Sequence, residues 1–428
     1  MRLNKFVLAI CAGVLVVLLA RCNNYNSNNN GSPTPTPTPS NPNPTHFTKR
    51  VLVSNDTPTG GSVLIVDGQH DALALQTVTV INPGKMVTAG GETAILSTSQ
   101  AQVTIFNNPG EVVFFTTPMQ AVPVDIAITS DGKTAFAAVK NKGVVEGIDT
   151  ASGNLVAQIP VPSPARLVMS PSGTKLLVFS DDAQAIPAPN TNAFFVIDVA
   201  TASSNQVATP ITGAGLDQPY TGVFNGSETK AFILNCGPEC GGATASVETV
   251  DFTSAPAFGT PIPVAGATVG LMSGSNLFVA GTPASPPSGC NFVACGVVSV
   301  INTGSLTVGN TAAITDGLHG VMAMASTNHL YIGAKDCSVG ATNAQSQVQS
   351  CLTVYNTSTN ANTGPILESA FRPNFNVTAL QQISARNVLY VVQGGSLDIF
   401  DLTTDNVSTT IAPLFISGTV SYVLQIDP

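Results

Sequence analysis

The chain has 428 residues, more than one ordinary hydrophobic core accommodates, so it must divide into two or three globular domains or form one closed repeat architecture. With 9% charged and 43% apolar residues, and with Gly, Pro, Ser, Thr and Asn abundant, the composition excludes a helical or charge-rich disordered protein and favours many short strands joined by turns. The formal charge is −9, and setting Arg2, Lys5 and Arg21 aside as part of a removable leader leaves 12 basic against 24 acidic residues. The basic residues are scattered singly, which argues against nucleic acid as a partner because no cluster can neutralise a run of phosphates.

Residues 1–22 begin with Arg2 and Lys5 and continue as an apolar stretch from Phe6 to Ala20. Fifteen apolar residues are too few for a spanning helix of about 20 and fit the core of an export signal. The stretch ends in Leu19-Ala20-Arg21-Cys22, which resembles the bacterial lipobox and makes Cys22 a lipidation candidate. Arg21 departs from that pattern, where a small residue is usual, so cleavage after Ala20 or an uncleaved anchor are the alternatives. Residues 23–47 are rich in Asn, Thr and Pro with almost no apolar content, and they read as a disordered, semi-extended linker. The expected product is an exported chain, periplasmic or on the cell surface, with the linker holding a domain of residues 48–428 off a membrane.

From His46 onward an apolar run closed by Asp or Asn and a polar turn recurs eight times: at Asp67, Asn107, Asp149, Asp198, Asp251, Asn302, Asn356 and Asp401. The intervals are 40, 42, 49, 53, 51, 54 and 45 residues, the mark of stacked supersecondary units. Each Asp or Asn side chain can accept from a backbone N–H two residues on and fix a hairpin turn. The third period spells out a four-stranded meander: Asp125 to Ile128, Ala135 to Val139, Val144 to Ile148 and Leu155 to Val161. The fourth repeats it from Leu167 through Leu176 to Phe179 and Phe194 to Ile197, ending with Val207 to Ile211.

Radial repetition of such units is an all-β propeller of antiparallel four-stranded blades. The 27 residues after Asp401 and the 18 from Arg50 to Asp67 together make one period of 45, so the first blade is expected to be built from both termini. Val420 to Ile426 then forms its innermost strand beside Val51 to Val53. That gives eight blades; seven is the alternative, because the second unit, Lys85 to Thr117, is short and irregular.

The segments DIAITSDGKTAFAAVKNKGVVEGIDTASGNLVAQIPV and ARLVMSPSGTKLLVFSDD resemble the YVTN-type, YncE-like propeller repeats of bacterial exported and surface proteins, over about residues 120–200. The family's Ser-Pro-Asp-Gly turn stands here as Ser130-Asp131-Gly132 and Ser170-Pro171-Ser172-Gly173. The resemblance implies a propeller and export. It implies no particular reaction.

Six cysteines follow the leader: Cys236 and Cys240, Cys290 and Cys295, Cys337 and Cys351. In an exported chain they are disulfide candidates with 15 formal connectivities, local pairing being the simplest. Each pair falls between the second and third strands of blades five, six and seven, so one rim is expected to carry an enlarged, cross-linked arc. A structural zinc site is disfavoured, because CxxxC and CxxxxC lack the usual spacing and no His lies nearby in sequence.

Of four His, His46 and His70 are expected to be exposed and His329 structural. His319 enters the innermost strand of the seventh blade, where Asp125, Arg166 and Tyr220 take corresponding places in other blades. These four are the ligand-binding candidates at the channel mouth. No catalytic motif is present, no metal or cofactor is expected, Asp181-Asp182 reads as a solvated loop, and the chain is expected to be a monomer. Two functions follow: a non-catalytic binding module using the loop-rich rim for an unknown ligand, polymer or protein, or a hydrolase similar to propeller lactonases. The second requires His319 to reach an axial acid or metal.

Overall fold

A computed structural model describes residues 41–427, apart from 43, 59, 182–191, 203–205, 291–293, 339–349, 366–375 and 412–413. The expected export signal, Cys22, most of the linker and the fourth blade's long loop lie outside the described residues. The last linker residues do not: Thr45 donates through its backbone N–H and its hydroxyl to Glu111, and Phe47 packs against the first two blades.

Eight antiparallel blades form the ring. The second blade, whose irregularity had left seven open, is complete, with strands Pro83–Ala89, Glu92–Ser97, Gln102–Asn107 and Val112–Pro118. The third follows its sequence pattern closely, from Asp125–Ile128 to Leu155–Pro160. In the fourth, the innermost strand begins at Pro164, three residues before the expected Leu167, and the outermost is Thr209–Thr212. Pro164 is tolerated there because the first residue of a strand need not donate to the ladder. Pro83 and Pro219 open the innermost strands of the second and fifth blades in the same way.

All eight Asp or Asn positions of the repeat end the third strand of a blade, and the side-chain oxygen of each accepts a backbone N–H two or three residues on. The conformational preference written into the repeat is therefore the hairpin to the outermost strand. At the same end of the third blade, in the turn between its first and second strands, Gly132 has φ +75°, and a Cβ there would stand 2.4 Å from the Ala89 carbonyl oxygen of the preceding blade. The Asp-Gly turn thus serves both its own conformation and the fit of adjacent blades.

The apolar side chains gather between blades. Among the described residues eight clusters are formed, one at each junction, including those joining the eighth blade to the first and the first to the second. Middle strands such as Thr134–Val139 are buried along nearly their whole length because both faces meet a neighbour. This accounts for apolar runs without alternation. Polar clamps reinforce the junctions: Tyr390 Oη donates to Asp71 at 2.6 Å, beside a bidentate Arg386–Asp71 pair at 2.7 and 2.8 Å. Tyr331, at the position of Tyr390, and His329, two residues before it, bring the seventh blade to Asp405 of the eighth.

Closure is made by the C-terminal strand Thr419–Gln425 pairing antiparallel with Arg50–Thr57, which pairs with Gly60–Asp67. Arg50 seals it: its Nε and Nη2 donate to the Asp427 carboxylate at 2.8 and 2.7 Å, and Nη1 lies 3.4 Å from buried Glu111 of the second blade. Replacing Arg50 by Ala leaves two carboxylates without their cation, so it is expected to destabilise the ring by roughly 3 kcal/mol. A lowered thermal unfolding midpoint, with the far-ultraviolet spectrum of the folded protein unchanged, is the measurement that checks it.

Candidate functional site

The innermost strands all run in the same sense around the axis, and each touches the next until the last returns to the first. Where they begin, two contiguous cavities of about 650 and 480 Å³ occupy the axis and share Lys85, Val124, Val269, Gly270, Gly320 and Lys335 in their walls. Strand-two-to-three loops emerge at the same end, so the cavity opens on the rim that carries the cysteines. Cavities of this volume accommodate small molecules.

A recurring irregularity shapes the wall. In six blades the innermost strand bulges within its first few residues, at Gly84-Lys85, Ala165, Tyr220, Gly320, Thr378 and Ser421. Every one of these residues lines the axial cavity. A bulge puts one extra residue against the partner strand and re-aims the side chains around it. Here it delivers polar and small residues to a wall that regular alternation would fill otherwise.

Three of the four sequence-predicted residues come together. Asp125, Arg166 and Tyr220 line the 480 Å³ cavity, and the Arg166 guanidinium lies 3.3 Å from the centroid of the Tyr220 ring. Such a cation on an aromatic face keeps its in-plane N–H groups free for another acceptor. Asp125 is already engaged: Oδ2 accepts the Leu167 N–H at 2.8 Å, and Oδ1 accepts the Ile126 N–H at 2.8 Å and Lys85 Nζ at 2.5 Å. It ties the second, third and fourth blades together at the axis. The Lys85 ammonium is held above its ordinary pKa, burial working against the charged form and the neighbouring Asp125 and Tyr422 outweighing it.

His319 does not join them. It is fully buried between exposed Leu318 and Gly320, which face the cavity, and packs against Gly296. Its Nε2 is 2.9 Å from the Thr315 carbonyl oxygen and must donate, since a carbonyl only accepts, while Nδ1 has no partner among the described residues. Burial lowers its pKa to about 4. The contact with an axial acid on which the hydrolase reading depends is not made. Of the other histidines, His70 bonds Asp67 in its turn and His329 bonds Asp405 and Asn356. Among the described residues no group of three or more His, Cys, Asp or Glu converges as a metal site.

Two wall residues escaped the sequence reading. Lys85 follows Pro83-Gly84 as Arg166 follows Pro164-Ala165, so a Pro-x-cation signature at the start of two innermost strands could have found it. Lys335 gives no such signal: it ends the second strand of the seventh blade opposite Leu318, and only pairing brings it to the axis.

The rim above the cavity is cross-linked. Disulfides join Cys236 to Cys240, Cys290 to Cys295 and Cys337 to Cys351, each between the second and third strands of its blade. Glu239, inside the first, accepts the Thr282 N–H at 2.8 Å, and Thr282 Oγ1 donates to the Gly317 carbonyl, so the loops of the fifth to seventh blades are bonded in series. Burial raises the Glu239 pKa to about 7. Asp181 pairs with Lys140 at 2.6 Å, and Asp182 lies outside the described residues.

The structure is that of an eight-bladed β-propeller with an axial cavity. Among solved structures it is similar to dihydro-heme d1 dehydrogenase NirN in complex with DHE, with TM-score 0.65 and 13% identity over 92% of this chain and 78% of that one. It is also similar to apo AztD from Citrobacter koseri (0.55, 10%, 88% and 98%) and to the C-terminal WD40 domain of Sif2 (0.57, 9%, 81% and 90%). No family model matches the chain, and no curated protein matches it. At these identities the likeness is one of architecture.

His319 and Glu239 make stability depend on pH in opposite senses. His319 resists protonation in the folded state, so its contribution is full above pH 6.5 and is lost as pH falls towards 4; the 6.5-to-4 difference corresponds to roughly 3 kcal/mol. Glu239 holds its proton more tightly when folded, so its contribution is full below pH 4.5 and declines as pH rises through 7. Thermal unfolding at pH 4.5 and 7.5 should show a smaller acid loss in His319→Gln. Between pH 5.5 and 8, Glu239→Gln should show a smaller alkaline loss than the unaltered chain.

Proposed function

We propose that this protein is an exported binding module, held to a membrane through Cys22 and the linker, that captures a ligand at its loop-rich rim and axial mouth. The carrying observation is the coincidence at one end of the ring of the cavity, the bulged strand starts and a disulfide-braced arc. Loops already fixed by cross-links lose little freedom on binding, which favours affinity. Three disulfides support an oxidising compartment, in keeping with the signal-like leader. The resemblance to YncE-like repeats supports export, and the solved NirN structure, in complex with DHE, supports a propeller that holds a ligand. Among the described residues the one carboxylate of the channel wall, Asp125, is taken up by Lys85 and two backbone N–H groups and is met by no histidine, so a non-catalytic role is the reading the wall supports best.

Two measurements test this. Mass spectrometry of the mature N-terminus should find Cys22 carrying a diacylglyceryl group; an unmodified terminus at Arg21 would remove the tether. A thermal-shift screen of small metabolites should yield ligands whose stabilisation disappears when the loops containing Cys236–Cys240 and Cys290–Cys295 are replaced by tight turns, with the circular dichroism unchanged. Undiminished stabilisation would reject the rim.

A further inference from the structure

Resting on the binding-module reading and specifying its ligand, we propose that the axial cavity is a site for a small organic anion bearing carboxylate or phosphate groups, gripped by Arg166 and Lys335 with Lys85 beside them. The chain as a whole carries −9, yet the walls of the two contiguous cavities hold three cations and a single carboxylate. That carboxylate, Asp125, is saturated by Lys85 and two backbone N–H groups. It therefore offsets Lys85 and leaves two positive charges uncompensated.

Those two charges are differently prepared. The Arg166 guanidinium has no ion pair among the described residues and is stacked on Tyr220, which fixes its plane and leaves its edge free. A planar fork presented this way matches the two oxygens of a carboxylate or phosphate. Lys335 is exposed at the cavity wall and its ammonium makes no bond among the described residues. It supplies a mobile second charge. A cavity of net positive charge with partly apolar walls concentrates its field on an entering anion, while the chain as a whole is negative.

The remaining wall indicates an organic rather than a bare inorganic anion. Val269, Val321, Met322, Leu380 and the Tyr422 ring line the larger cavity, and its volume of about 650 Å³ exceeds what an inorganic ion fills.

Calorimetric titration of the full exported chain with citrate, phenyl phosphate and uncharged glucose tests the assignment. Citrate, phenyl phosphate or both should bind, and glucose should not; which anion binds tells carboxylate from phosphate. Arg166→Gln should weaken binding at least tenfold and Lys335→Gln about threefold, each with an unchanged unfolding midpoint. Lys133→Gln, an exposed cation at the opposite end of the propeller, should leave affinity as it was. Binding of neither anion, or equal affinity in Arg166→Gln, would overturn the anion site. If glucose binds instead and is lost with the disulfide loops, the anion assignment fails while the rim reading stands. If an anion binds through Arg166 even when those loops are removed, the anion site stands and the rim reading fails.

Discussion

Each blade of this protein is apolar on both faces, and a sheet of that kind is stable in water only when a neighbour covers each side. A linear row would leave two such faces bare, so the sequence obliges the row to become a circle. The strand Thr419–Gln425 against Arg50–Thr57 is the join, and it places the apolar clusters of the eighth-to-first and first-to-second junctions on the same footing as the other six. Arg50, bound to Asp427 on one side and facing Glu111 on the other, ties together the two chain ends and the next blade. The remaining features follow from a closed ring: a common axis, two distinct ends, and innermost strands that all start at one of them.

The division of labour within a blade has a physical basis. Towards the outside, hairpins pinned by Asp and Asn and the Tyr390–Asp71 and Tyr331–Asp405 clamps hold adjacent blades in place. Towards the axis the strands need no hydrogen-bonding partner on their inner edge, so they tolerate Pro at the first position and an extra residue shortly after it. Local irregularity there is cheap in stability and productive in chemistry. It is how Tyr220 reaches the cavity and how the chain beside Lys85 and Arg166 departs from the regular ladder.

Electrostatics reinforces this arrangement. Acidic groups dominate the chain, while the axis gathers Lys85, Arg166 and Lys335 around one carboxylate that is already occupied. Burial also shifts groups that do not face the cavity: His319 is kept neutral within the wall of the seventh blade, and Glu239 is held partly desolvated where two loops meet. Both act on the stability of the rim rather than on what enters it.

How much of this could be read from the residues alone follows from the range of each interaction. The period, the eight Asx hairpins and the local cysteine pairs rest on bonds between neighbours in sequence, and the amino-acid pattern determined them; the joint first blade pairs strands from the two ends of the chain and was legible because the residues left over at those ends make one period. Arg166, Tyr220 and Asp125 were legible as candidates because each sits near a recognisable strand start. His319 shares that position but faces the opposite way, since alternation along a strand is set by where the bulge falls, and Leu318 and Gly320 took the cavity side. Lys335 stood unmarked in a strand end, and the saturation of Asp125 depended on Lys85, forty residues away. Those were decided only by the tertiary structure, because the sign of charge at an axis is a sum over side chains that eight separate blades bring to one point.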